Sequence, residues 1–236
     1  MNSMDNINQL WEEFKTNIKY DNRYFPKNKE LIDKLHEILS RLTQPSGGVG
    51  RFTVFRARIG RYDKDDDIRK PDPQKVNIAD GRCNPKGISY FYTANNEETA
   101  IYEVRPQIND IVSVGVFKSN DNIRIVDFRS IKLIEKEFFS KLIISDEDRA
   151  LLDIILNEIS KPLNPNEQSL DYIPIQYIVE YIKQYNNNGT SFDGFIYESS
   201  LKNNGVNYVF FNDAKFDLVG IKYYKIKNIT YTYEQL

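Results

Sequence analysis

The sequence predicts an α+β fold, and three observations carry that expectation. Apolar residues fall at helical spacing in two N-terminal stretches and again around Ile175. Short runs of alternating or continuous apolar character recur through the middle and the C-terminal third. The two kinds of segment follow one another without the regular strand-helix alternation that a doubly wound parallel sheet requires.

Leu10, Trp11, Phe14 and Ile18 share one side of a helix predicted over 7–20, and Leu31, Leu35, Ile38 and Leu42 share one side of a second over 28–42, with Pro26 between them. Pro45, Gly47, Gly48 and Gly50 then mark a flexible junction. It lacks the Gly-Lys-Ser/Thr ending of a nucleotide phosphate loop. A strand is expected over 52–57, a charged, proline-containing loop over 61–76, and a strand over 88–93. A short helix over 97–102 places Glu103 near its end. Strands at 111–117 and 123–128 precede a helix covering much of 146–159. A further helix over 172–185 carries Ile175, Ile178, Val179 and Ile182 on one side, and strands at 194–197, 207–211 and 217–224 complete the series.

The 32 basic and 34 acidic residues are interspersed and sum to −2, so no basic stripe offers itself to duplex nucleic acid. One cysteine, Cys83, forms neither an internal disulfide nor a cysteine-based metal cage, which fits a reducing compartment. The N-terminus, with Asp5, Glu12 and Glu13, lacks the basic start and apolar run of a signal peptide, and no stretch approaches the roughly 20 apolar residues of a membrane span. The expectation is a cytoplasmic protein with neither a membrane nor a nucleic acid as partner.

The usual catalytic inventory is nearly empty. His36, the one histidine, lies between Leu35 and Ile38 in the second helix, where a structural or solvent-facing role is the plainer reading. Histidine-based nucleophilic triads and histidine-ligated zinc therefore have little support. The run Asp63, Asp65, Asp66 and Asp67 lacks the downstream glutamate of a calcium loop and reads as a solvated segment; no metal is expected. Cys83 reads as a small apolar filler.

Two blocks stand out. The first runs Asp80, Gly81, Arg82, Cys83, Asn84, Pro85, Lys86 and Gly87, then Tyr90, Phe91 and Tyr92, then Thr99, Ala100 and Glu103. Gly81 and Gly87 bracket a tight loop that can bring Arg82 and backbone amides toward an anion. The second runs Tyr172 to Gln176, then Asp193, Gly194, Phe195, Ile196, Tyr197, Glu198, Ser199 and Ser200, then Gly205 to Val209. Each block alone is compatible with an ordinary turn, a surface ion pair and hydroxyls bonded to nearby backbone.

Together, and in this order, the blocks resemble the RES domain family, named for arginine, glutamate and serine residues in its motifs. The first matches the family's Gly-Arg-Trp/Phe-Asn-Pro-x-Gly loop, strand tyrosine and Ala-x-x-Glu helix. The second matches its glutamine helix, Asp-Gly strand and Ser-Ser turn, while Phe55, Arg56 and Ala57 resemble its arginine-bearing first strand. Cys83 departs from the usual aromatic after the loop arginine, and Glu198 from the usual proline or basic residue. The resemblance covers about residues 52–222 and implies a split mixed sheet like that of ADP-ribosyltransferases, with flanking helices. That leaves 1–45 as an N-terminal helical extension, an internal helical insertion around 129–170, and 223–236 as a tail or strand.

Carried over position by position, the resemblance nominates Glu103, Arg82 and Ser199 as catalytic, and Arg56, Tyr92, Asn84 and Ser200 as substrate-binding. It implies NAD as substrate rather than cofactor, with cleavage of the nicotinamide-ribose bond in a toxin or defence effector. Water, inorganic phosphate or a protein side chain as acceptor would give a glycohydrolase, a phosphorylase or a protein mono-ADP-ribosyltransferase. Hydrolysis or phosphorolysis is favoured because no target-docking segment is evident, and an inactive NAD-binding interaction module is the remaining alternative. A helix-turn-helix antitoxin or other inhibitory protein is an expected partner, and a homodimer an open one. The N-terminal helices lie outside the resemblance, so they either complete the core or act as a brake over the site.

Overall fold

The computed structural model describes residues 3–42, 49–129, 145–161 and 169–230. The chain opens with α1 (Ser3–Thr16), which continues into a π-helical turn at Asn17–Asp21, and with α2 (Glu30–Leu42). Then come β1 (Val49–Gly50), β2 (Thr53–Ile59), α3 (Asp65–Ile68), β3 (Phe91–Ala94), α4 (Glu97–Glu103), β4 (Ile111–Ser119) and β5 (Ile123–Asp127). The remainder is α5 (Asp146–Ser160), α6 (Ser169–Gln184), a short hairpin of β6 (Asn186–Asn187) and β7 (Thr190–Ser191), and β8 (Gly194–Glu198), β9 (Val206–Phe210) and β10 (Phe216–Lys225). The α+β expectation holds.

The main sheet has the order β1-β5-β8-β9-β3-β2-β4-β10. It is mixed: β5 and β8 run parallel, and the other neighbours run antiparallel. It is also split. β2 pairs with β4 from Thr53 to Ile59, and β3 pairs with β9 from Phe91 to Ala94, but β2 and β3 meet only at Phe55 and Ala94.

Three apolar clusters pin the sheet. The largest unites Trp11, Phe14, Leu35 and Leu39 of the first two helices with Leu151, Ile155, Ile178 and Ile182 of α5 and α6, and with Phe128, Phe195 and Val209. A second, rich in aromatics, stacks Phe91, Phe117, Phe210 and Phe216 around Val54 and Ile68. A third, made of Ala57, Ala94, Ala100, Val112 and Val114, seats α4 on the sheet, and its small side chains keep that helix close.

Local chemistry explains the element ends. Asn96 caps α4 by accepting from the Thr99 amide, and Glu97 and Glu98 suit the positive end of the helix. Ser145 and Asp148 form a reciprocal capping box on α5. Gly194 is required: a β-carbon there would lie 2.1 Å from the Val209 carbonyl oxygen. Asp193 beside it ties β5 to β8 by accepting from the Arg124 amide at 2.8 Å.

Three expectations need correction. The strand expected from Ile88 starts at Phe91, because the Ile88 carbonyl accepts from Asn84 Nδ2 and the Ile88 amide donates to Pro85, so neither joins the ladder. The charged loop after β2 contains α3, whose Ile68 is buried in the aromatic cluster. Helix α6 begins before Tyr172, at Ser169. The Pro45–Gly50 junction lies mostly outside the described residues, as do 130–144 of the insertion and 231–236 of the tail.

Helices α1 and α2 therefore occupy the main core, which favours their packing role over a brake. Trp11 is 3% exposed and is the only tryptophan. Removal of residues 1–42 is expected to abolish the cooperative thermal transition, and Trp11→Ala to cost about 3–5 kcal/mol of stability. Circular dichroism melts check both, and a truncated chain that melts like the full one would overturn this assignment of the core.

Candidate active site

Where the sheet splits, a cavity of about 500 Å³ opens between β2 and β3. Arg56 borders it from β2, Arg82 and Asn84 from the loop before β3, Tyr92 from β3, Glu103 from the end of α4, and Asn207 from β9. Ser200 also reaches this cavity, and Ser199 joins it through Glu103. All seven nominated residues thus converge, from segments up to 144 positions apart (200 − 56).

The carboxylate is the best-defined group. Glu103 Oε1 accepts from the Ser199 hydroxyl at 2.6 Å and from Asn207 Nδ2 at 2.7 Å. Ser199 Oγ in turn accepts the amides of Leu201 and Lys202, both at 3.2 Å, so its proton is turned toward Glu103. Glu103 itself is exposed. Its Oε2 makes no hydrogen bond to the described residues.

Asn207 carries no role in the sequence reading. It is 4% exposed, and its Oδ1 has no hydrogen-bond partner among the described residues. Its signal is in the sequence nonetheless: it shares the buried face of β9 with Val209, and a polar residue at a core-facing strand position needs a reason.

The nominated arginines are heavily committed. Arg56 donates through Nε to the Ile68 carbonyl at 3.1 Å and through a terminal nitrogen to the Tyr92 carbonyl at 3.0 Å, bridging the split. Burial, followed by the nearby Arg58, lowers its pKa to about 10, so it stays cationic at neutral pH. Arg82 donates to the Glu158 carbonyl near the end of α5 at 3.0 Å and lies 5.4 Å from the centre of the Tyr172 ring. A cation at a helix C-terminus is favourable there.

Asn84 and Tyr92 serve the shape of the site. Asn84 Nδ2 donates to the Ala79 and Ile88 carbonyls at 3.0 and 3.1 Å, and its Oδ1 accepts the Tyr92 hydroxyl at 2.8 Å. Gln176 Nε2 reaches across from α6 to the Gly81 and Asn84 carbonyls at 2.8 and 3.2 Å. Burial raises the phenols of Tyr92 and Tyr197 well above their usual range, keeping both neutral on the wall. A larger hollow of about 1220 Å³ lies behind the loop, among α2 and α6, and holds none of the nominated residues. His36 sits there, within 2.9 Å of the Tyr181 hydroxyl.

Arg105 borders the same cavity and went unnominated. It follows α4 after Val104 and adopts φ +48, a left-handed conformation in which a β-carbon costs roughly 1–2 kcal/mol and glycine is the usual occupant.

Cys83 is 2% exposed at the cavity wall, and burial pushes its thiol up to about 12. It should resist a chromogenic disulfide reagent at pH 8 and label only on unfolding. Gln176→Ala, which removes the pin on the loop, is expected to lower stability by about 1–3 kcal/mol and to speed Cys83 labelling. Rapid labelling of the unaltered protein would contradict the packing.

Of the comparisons with known proteins, the curated proteins and the solved structures return no match. The model of the RES domain matches residues 53–234, which takes in β2 through β10 and every residue of the split-sheet cavity named above. Among the described residues no helix is long and apolar enough to cross a membrane. With its arginine strand, loop, glutamate helix and serine turn converging on one cleft, this chain belongs to the RES domain family.

Proposed function

We propose that the chain binds NAD in the split-sheet cavity and breaks its nicotinamide-ribose bond, acting in the cytoplasm as a toxin or defence effector. RES domains are associated with NAD-related toxin and defence functions. The observation that carries the finer reading is the Glu103 carboxylate, steered by Ser199 and Asn207 through one oxygen while the other is left for a ligand.

The chemistry suits a site without histidine. Nicotinamide is cationic in NAD and leaves neutral, taking the C1′–N electron pair, so no general acid is needed, unlike ordinary glycoside cleavage. Glu103 accepts a ribose hydroxyl through Oε2, and its charge stabilises the oxocarbenium-like ribose, an effect of a few kcal/mol for an oriented group. Tyr92 and Tyr197 supply an aromatic wall for the nicotinamide or ribose. Arg56 and Arg82 hold positive charge along the cleft for the pyrophosphate, their orientation set by backbone carbonyls. Ser200 borders the cleft as a further hydroxyl for phosphate or carboxamide.

The acceptor oxygen adds at C1′ and loses its proton to solvent. Water yields ADP-ribose and inorganic phosphate yields ADP-ribose phosphate; both fit an open cleft better than a protein side chain does, since no docking segment adjoins it among the described residues. An inhibitory partner such as a helix-turn-helix antitoxin accompanies this reading, because unrestrained NAD loss would harm the host cell.

Purified protein given NAD should release free nicotinamide. Glu103→Gln should keep the melting temperature and lower release about a hundredfold or more, and Ser199→Ala should lower it less, by misorienting the carboxylate. Mass analysis with and without phosphate identifies the acceptor, and label on protein would instead indicate ADP-ribosyl transfer. Unchanged release by Glu103→Gln would reject the assignment.

A further inference from the structure

Among the described residues four cations border the cavity: Arg56, Arg82, Arg105 and Lys161. Arg56 is tied to the Ile68 and Tyr92 carbonyls, Arg82 to the Glu158 carbonyl and the Tyr172 ring, and Lys161 to Glu158 Oε1 at 2.5 Å. The Arg105 side chain is exposed and makes no hydrogen bond, ion pair or ring contact with the described residues. Its backbone is nevertheless well anchored: its amide donates to the Tyr102 carbonyl at 3.1 Å and Pro106 follows it.

We propose that Arg105 contacts a phosphate in this cleft directly, adding a movable cation to the fixed charges of Arg56 and Arg82, a role that rests on the NAD reading. Two arguments carry it. A guanidinium whose five donors have no partner among the described residues can offer a fork to phosphate oxygens without first giving up a bond to them, which neither Arg56 nor Arg82 can do to the same degree. The cleft also holds the Glu103 carboxylate, so a phosphate entering beside it meets like-charge repulsion unless a cation intervenes. Arg105 lies two residues beyond Glu103 and lines the same cavity. The phosphate has two sources with one chemistry: the pyrophosphate of the dinucleotide, or inorganic phosphate serving as acceptor.

The left-handed backbone makes the test clean. Arg105→Gly removes the side chain at a position whose conformation glycine prefers, so the melting temperature should stay the same or rise. If Arg105 grips the pyrophosphate, the variant should raise KM for NAD about tenfold or more with little change in kcat, as expected for loss of a charge-assisted pair, and Arg105→Lys should recover part of it. If it grips the acceptor, KM for NAD should stay put and KM for inorganic phosphate should rise instead. Both constants unchanged would overturn the proposal while leaving the NAD reading intact. Should the unaltered protein release no nicotinamide, that reading fails, and calorimetric titration with inorganic pyrophosphate decides for Arg105 separately. Weaker binding by Arg105→Gly would support the anion site, whereas equal binding, or none by either protein, would overturn it.

Discussion

One side chain spans the break on which the rest of the site depends. β2 and β3 are neighbours in sheet order but share a single residue pair, so most of the backbone groups along that seam lack a ladder partner. Arg56 projects from β2 and gives two of its donors to carbonyls, one on β3 and one at the end of α3. The seam is thereby held open by a fixed amount instead of zipping shut or drifting apart, and the cleft is the space that results. A neutral side chain there would leave the carbonyls unpaired in a half-buried setting, at a cost of about 1–3 kcal/mol each.

Much of the family signature serves this opening rather than the ligand. Asn84 spends both ends of its amide inside the loop and on Tyr92, Gln176 fastens that loop to α6, and Asp193 with Gly194 lets β8 lie against β9 with no side chain between. These residues are demanding for the same reason: each satisfies buried backbone groups that nothing else nearby can reach. Fewer groups of the cleft stay outside this network, among them the second oxygen of Glu103. The one histidine of the chain, His36, lies in the other hollow.

The elements with strong periodicity were legible in the sequence, because an amphipathic helix or an alternating strand writes its burial pattern directly. The convergence of Arg56, Arg82, Glu103 and Ser199 was legible only through the joint pattern of motifs, since no local rule brings residues so far apart together. What escaped had physical causes. The first residues before β3 look like strand, but their backbone groups are claimed by a side-chain amide. The short helix α3 is too brief to show a period. Arg105 stands where a helix stop ordinarily reads as glycine, so neither propensity nor motif marks it.

The first two helices lie before the span matched by the family model, yet they reach the cleft mechanically. Lys34 pairs with Glu147 and Arg41 with Asp148, each at 2.6 Å, and Trp11, Phe14 and Leu35 share the apolar cluster of Leu151 and Ile155. Those contacts brace α5, and the far end of α5 offers the Glu158 carbonyl that orients Arg82. Asp148 is 5% exposed, so its pairing with Arg41 is partly shielded from salt in a way surface pairs are not. These contacts form a continuous chain from α2 through α5 to the loop arginine. The boundary of the sequence family is therefore not the boundary of the structure that shapes its site.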